Sequence, residues 1–304
     1  MVTAHKRRGK MTETTPRSYV QWDHLPELRE PALVAGFQGW SDAGGVSTDT
    51  VQYLIEVLRP VEVATLSNEP FVNYTLDRPV AQIEDGIIHE LEPMYSGLSC
   101  WKNPTGDRDL LFLLGKEPHH SWLTYSSVLL DIIEKLHVKQ LYTIGGVQDT
   151  ISHSSPPVVT VVGSSASVVE RALKLDAYVR AADYYGPISI HSCLIKACMD
   201  AGIDALSLWG HVPAYLQKNP RVVSKLVAIF SKAVGVQCPV DILVQKSIEL
   251  DRKITEALAK DSNLKDLVEQ IEEKDTNRPP SASGDKVIRL NDFLRRDPHK
   301  DPGQ

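Results

Sequence analysis

Apolar and polar positions along the chain alternate between two periods. Short apolar runs end in glycine four times, at residues 31–36, 109–115, 140–146 and 157–163. Runs of this length, bounded by proline or glycine, predict strands buried on both faces. Between and after them the period becomes helical. Val46, Thr50, Val51, Leu54, Ile55 and Leu58 share one face and stop at Pro60, and Trp122, Val128, Leu129, Ile132, Ile133 and Leu136 repeat the pattern. A helix over 189–201, a strand over 204–209 and a helix over 220–234 follow. The last is bounded by Asn219 as cap, Pro220 in the first turn and Gly235 at the end. Segments 61–66, 71–75, 80–84 and 86–91 are short and β-branched or alternating, with Asp85-Gly86 as a hairpin turn, and predict further strands, some antiparallel. Strands alternating with helices define an α/β class, with a mostly parallel or mixed sheet flanked by helices.

Past residue 240 the composition changes. Between Lys246 and Asp275, 15 of 30 residues are charged, nine acidic and six basic, with Ile248, Ile254, Leu258, Leu264, Leu267, Val268 and Ile271 spaced among them. This predicts one or two amphipathic helices, broken near Asp261 to Asn263, whose apolar stripe needs a partner surface. Residues 278–284 read as a linker and 287–294 as a short amphipathic element. The expected organisation is a disordered leader over 1–18, an α/β core over 19–240, a helical appendage over 241–275, and a linker and tail over 276–304. Met11 inside the polar leader is an alternative start to Met1.

Composition narrows the function by exclusion. The chain has 304 residues, room for about two domains, and is 42% hydrophobic and 24% charged. Its net charge of -6 argues against a protein that works by neutralising nucleic-acid phosphates. No apolar run approaches the ~18 residues of a membrane span. Cys100, Cys193, Cys198 and Cys238 show neither a disulfide framework nor metal-ligand spacing. A cytoplasmic protein without a metal or cofactor is the expectation.

Candidate chemistry lies in four glycine-marked loops at predicted strand ends, where α/β proteins place ligands. The first, Gly36 to Gly45, contains Gly39, Trp40, Asp42 and Gly44. It lacks the spacing of a dinucleotide or P-loop motif, so Asp42 reads as a turn or capping carboxylate and Trp40 as a packing anchor. The second, Gly145 to His153, holds Gly146, Asp149 and His153, and an Asp beside a His can form a base and its orienter. The third, Tyr184 to His191, holds Gly186 and His191. The fourth, Trp209 to Tyr215, holds Trp209 and His211. No nucleophile elbow, zincin helix or recognisable Ser or Cys nucleophile is present, and His119-His120 lacks an acidic partner at ligand spacing.

These stretches together resemble the proteasome assembly chaperone type 2 family in its longer bacterial, actinobacterial form. The resemblance rests on Gly36 to Gly44, on the Ile144 loop running to Pro157 and Gly163, on Tyr185 to Ile190, and on Ser207 to Tyr215 followed by Asn219-Pro220. Their order and spacing match over roughly residues 30 to 275, with Gly210 and Ala214 departing from the pattern. The resemblance implies a phosphorylase- or hydrolase-like core, a small helical C-terminal appendage and self-association, with a homotrimer as the first expectation. It implies no catalytic residue. The functional expectation is a non-enzymatic, assembly-chaperone-like or scaffold protein acting through protein contacts with a client. The alternative is an enzyme or binder of a small anionic or nucleoside-like ligand, with Asp42, Asp149 and His153 sharing a pocket.

Overall fold

The computed structural model describes residues 19–276. In chain order the elements are β1 (Val20–Trp22), β2 (Ala32–Gln38), α1 (Val46–Leu58), β3 (Val61–Ser67), β4 (Ala81–Glu84), β5 (Ile87–Leu91), β6 (Tyr95–Trp101), β7 (Leu110–Lys116) and α2 (Trp122–Lys135). They continue with β8 (Gln140–Asp149), β9 (Val159–Gly163), α3 (Ala166–Leu173), β10 (Val179–Ala181), α4 (Ile190–Asp200), β11 (Asp204–Pro213), α5 (Pro220–Val234), α6 (Asp241–Lys260) and α7 (Ser262–Thr276). A nine-stranded sheet runs β1-β3-β6-β7-β2-β8-β11-β9-β10, and β4 and β5 form a separate hairpin.

The sheet is mixed. Its centre, β7-β2-β8-β11, is parallel. An antiparallel meander β1-β3-β6-β7 flanks one side, and on the other β9 runs antiparallel to β11 and parallel to β10. The parallel strands are the continuous apolar runs, and they are buried on both faces. Val34, Phe112, Tyr142 and Leu208 join the core under α1 and α5, while Leu33, Leu111, Leu141 and Ala205 join the core under α2 and α4. The side chains alternate across the sheet, so each strand feeds both cores.

Several boundaries differ from the sequence expectation. Residues 71–75 form turns instead of a strand. Asn68 O accepts from Phe71 N and Val72 N, and Asn73 Oδ1 accepts from Thr75 N and Oγ1, so local hydrogen bonds win over β-branching. Phe71 closes this turn as a fully buried plug against Tyr125. The second and fourth loops begin later than expected, because β8 runs on to Asp149 and β11 to Pro213, the two pairing over their whole length. The short elements β1, α3 and β10 carry too little periodicity to be read from the sequence, and in β6 serine and glycine dilute the apolar signal. The α5 boundaries hold: Asn219 Oδ1 accepts from Val222 N, and Gly235 ends the helix at φ 71°.

The C-terminal helices dock on the core. Leu243, Ser247 and Ile254 of α6 are buried, as is Val268 of α7. Asp261 breaks the pair, its Oδ1 accepting from Asn263 N and Leu264 N to start α7. Ile242, Val244 and Ile248 remain exposed on the outer side. The expected leader and the tail from 277 lie outside the described residues.

Candidate functional site

The carboxyl ends of β7, β2, β8 and β11 share one edge of the sheet, and the loops that leave them meet there. After β2 the chain turns through Gly39, Trp40, Ser41 and Asp42 into α1. Asp42 begins that helix: its Oδ1 accepts from Ser47 N at 2.8 Å and Thr48 N at 3.1 Å, and its Oδ2 accepts from Thr48 Oγ1 at 2.8 Å. The capping expectation is borne out. Burial lifts the Asp42 carboxyl above its ordinary range against the opposing pull of these hydrogen bonds. Gly44 sits in the turn at φ 61°, the left-handed region that a side chain resists. Gly146 of β8 lies against the same turn. Its N–H donates to Ser41 O at 2.7 Å, and a Cβ there would lie 2.7 Å from Ala43 O.

Glu117, just past β7, ties two loops together. Its Oε2 accepts from Trp40 N and its Oε1 from Ile190 N, both at 3.0 Å. A carboxylate at the first N–H of a helix is favourable, and it locks the β2–α1 loop to the start of α4. Trp40 itself is 65% exposed, so the packing-anchor expectation fails: the backbone is anchored and the indole is left in solvent. Gly186 lies in the exposed loop before α4, where Tyr184 Oη closes a tight turn on Pro187 O.

Below this rim Ser41 and His191 are both fully buried, with Ser41 Oγ 3.2 Å from His191 Nε2. The imidazole meets the edge of Phe37 and tilts against Trp209, with ring centroids 5.5 and 5.0 Å away. Burial drives the His191 pKa down to about 3, so it is neutral at physiological pH.

The expected pairing of Asp149 with His153 is not the one formed. Asp149 Oδ2 lies 2.8 Å from His211 Nδ1, and His211 Nε2 lies 3.1 Å from Thr160 Oγ1. His211 belongs to β11 and not to a loop, which puts it between the end of β8 and the open face of β9. His153 turns to Tyr215: the Tyr215 hydroxyl accepts from His153 N at 2.7 Å and lies 2.8 Å from Nδ1. Burial holds the His153 imidazole below its ordinary pKa, against the raising influence of Glu272 and Asp251. Glu272 of α7 accepts from Ser152 Oγ and Ser154 Oγ, both at 2.9 Å. Arg221 bonds His153 O and the Asp251 carboxylate. The appendage thus grips the β8–β9 loop.

Asp42, Asp149 and His153 therefore face three different surroundings and form no shared pocket, which overturns that part of the ligand-binding expectation. Two shallow concavities, about 560 and 450 Å³, lie elsewhere: one between α2 and the turn after α4, the other along α6. Among the described residues no cluster of three His, Cys, Asp or Glu side chains has metal-binding geometry. Glu117 and Thr160 are the participants the sequence did not mark, since neither sits in a motif and only strand order brings them to the site.

Beside these loops stands the β4–β5 hairpin. Lys116, the last residue of β7, holds its base by ion pairs to Asp77 at 2.9 Å and Glu92 at 3.0 Å. Every hairpin residue is exposed, including Ile83, Ile87, Ile88 and Leu91.

A mixed α/β sheet with capped, glycine-marked loops at its carboxyl edge and two docked C-terminal helices defines a class of α/β proteins, and comparison with known proteins places the chain within it. The sequence profile of the PAC2 family matches residues 36–258, and the chain belongs to that family. A proteasome-assembly chaperone homologue from Mycobacterium tuberculosis is similar in structure, with a TM-score of 0.71 and 29% identity over 78% of this chain and 99% of that one. A PAC2 family protein from Streptomyces avermitilis gives 0.69 and 26% identity over 78% and 99%. An archaeal proteasome activator from Pyrococcus furiosus shares the fold, with a TM-score of 0.65 and 17% identity over 78% and 97%. No curated protein matches the sequence. The chain is thus related to proteasome assembly chaperones, as the resemblance implied.

Proposed function

We propose that the protein is an assembly-chaperone-like scaffold that acts through protein contacts at the carboxyl edge of its sheet. The observation that carries this reading is the hairpin. Ile83, Ile87, Ile88 and Leu91 are each half or more exposed on a ribbon that no third strand joins among the described residues, and an isolated two-stranded hairpin is marginal in water. Trp40, Tyr184, Tyr185 and Ile188 add exposed apolar surface on loops of the same edge. Large apolar side chains left exposed on one edge in this number mark an interaction site. Between Leu76 and Tyr95 five acids accompany one base, Arg78; with Asp77 and Glu92 paired to Lys116, Glu84, Asp85 and Glu90 still give the hairpin an acidic surface, so the complementary surface of a client carries basic residues around an apolar centre. The names of the similar proteins, a proteasome-assembly chaperone homologue and a proteasome activator, support proteasome subunits as the first client class to test.

Self-association belongs to the same reading, with the exposed Ile242, Val244 and Ile248 of α6 as a second apolar patch. No helix among the described residues is long and apolar enough to cross a membrane. The four free cysteines fit a reducing compartment such as the cytoplasm. The reading is tested by co-purification: proteasome or other assembly subunits should accompany the chain, and repeated recovery of the chain alone counts against it.

A further inference from the structure

Asp149, His211, Thr160 and Arg180 form a row across four neighbouring strands. Asp149 ends β8, His211 lies on β11, Thr160 on β9, and Arg180 of β10 is the register partner of Thr160. Partners in register share a face, as do residues two apart along a strand. Carboxylate, imidazole, hydroxyl and guanidinium therefore follow one another on one surface.

The hydrogen bonds within the row have a direction. An ionised Asp149 accepts the proton on His211 Nδ1 at 2.8 Å, which leaves the Nε2 lone pair to take the Thr160 hydroxyl proton at 3.1 Å. A hydroxyl within reach of a base that is itself oriented by a third group is the arrangement that activates a nucleophile. The His211 and Asp149 side chains keep 17% and 21% of their surface, so the relay is held in place yet open to solvent. Val162, two residues beyond Thr160, and Val147, the register partner of His211, are each 38% exposed on the same face. The ladder to β11 and β10 engages the backbone of β9, so a developing oxyanion has to be met by a side chain. Arg180, the β10 register partner of Thr160, carries the cation on that face.

We propose that Asp149, His211 and Thr160 form an acyl-transfer relay in which Thr160 attacks small esters with apolar acyl groups. The Thr160 oxygen bonds to the ester carbonyl carbon as its proton passes to His211 Nε2. The carbon–oxygen bond to the alcohol then breaks, and the alcohol leaves with that proton. Water attacks the acyl-threonine through the same base, releasing the carboxylic acid and restoring the hydroxyl. Thr160 and His211 touch the reacting atoms, and Asp149 is a positioning residue. The relay is independent of the assembly reading, and either can fail without the other.

The test uses the full chain with p-nitrophenyl acetate and with a fluorophosphonate probe, following nitrophenol release and mapping the adduct by peptide mass spectrometry. The expected result is a single adduct on Thr160, retained in Thr160→Ser and absent in Thr160→Val, with His211→Asn slowing labelling about 100-fold or more. Asp149→Asn should also slow labelling of Thr160, and the conservative Asp149→Glu should recover it. A merely structural Asp149 would leave the labelling rate of a folded Asp149→Asn variant unchanged. Circular dichroism and thermal melting establish that each variant is folded, and the isosteric Thr160→Val and the conservative Thr160→Ser keep the comparison within the wild-type fold. No adduct with either probe, an adduct on another residue, or wild-type labelling of Thr160→Val overturns the proposal.

Discussion

His191 is a base sealed away from water, with Ser41 at one ring nitrogen and the rings of Phe37 and Trp209 against it. Its folded pKa of about 3 lies below the unfolded value of 6.5, so between these limits the unfolded chain takes up the proton that the folded chain refuses. Its contribution is therefore complete above about pH 6.5 and is lost as the pH falls toward 3, with a slope of up to about 1.4 kcal/mol per pH unit. Urea unfolding of the wild type from pH 7 to pH 4.5 should show that component, and His191→Gln should lack it. Equal slopes in the two proteins would show that His191 is protonated in the fold. Gly146 gives a steric test. A Cβ there would lie 2.5 Å from Val46 Cγ2 as well as against Ala43 O, so Gly146→Ala should cost about 1–3 kcal/mol in denaturant unfolding. At this scale the sequence revealed the residue types better than their partners. Asp42 was legible as a cap because its hydrogen bonds are made within six residues. The partner of Asp149 was not, because it depends on β11 lying between β8 and β9, a fact of strand order that no local spacing records.

Elements bounded by their own chemistry were the legible ones. The α5 helix has a side-chain cap, a proline start and a glycine end, and the Asp85-Gly86 turn fixes its hairpin at φ 51° and 79°. The β6 strand went unread, although its Ser96, Leu98 and Cys100 alternate inward, because serine and glycine dilute the apolar signal. Residues 71–75 carry a strand's β-branching in Val72 and Thr75, but the side-chain turn at Asn73 overrides it. The helices after residue 240 were legible as amphipathic, but not as a clamp on the β8–β9 loop. Glu272 is the link, and Glu272→Ala should loosen Ser152 to Ser154. Losing two hydrogen bonds to a charged group, worth about 1–2 kcal/mol together on a partly exposed loop, should speed amide exchange there about 5–30-fold. Unchanged protection would mean that the appendage does not hold the loop.

For the molecule as a whole, the mixed sheet buries both faces of its parallel centre and leaves the apolar surface of its carboxyl edge and of α6 outside. The proposed self-association rests on that distribution. Sedimentation of the full chain at micromolar concentration should give a mass above 33.7 kDa, with three times that value as the expected state. A single-chain mass would remove self-association from the account. Ile83 and Ile88 are cross-strand partners on the hairpin, and replacing both with serine should leave thermal stability nearly unchanged because neither is buried. That makes the pair a clean probe of the central claim, that the carboxyl edge is a protein-contact surface. The most direct measurement is cross-linked affinity purification of the wild type and the Ile83→Ser/Ile88→Ser variant from the native cells, quantified by mass spectrometry. The account predicts that proteasome or other assembly subunits are enriched with the wild type, cross-linked at the hairpin, and lost with the variant. Recovery of the chain alone, or of the same partners with both proteins, would contradict it.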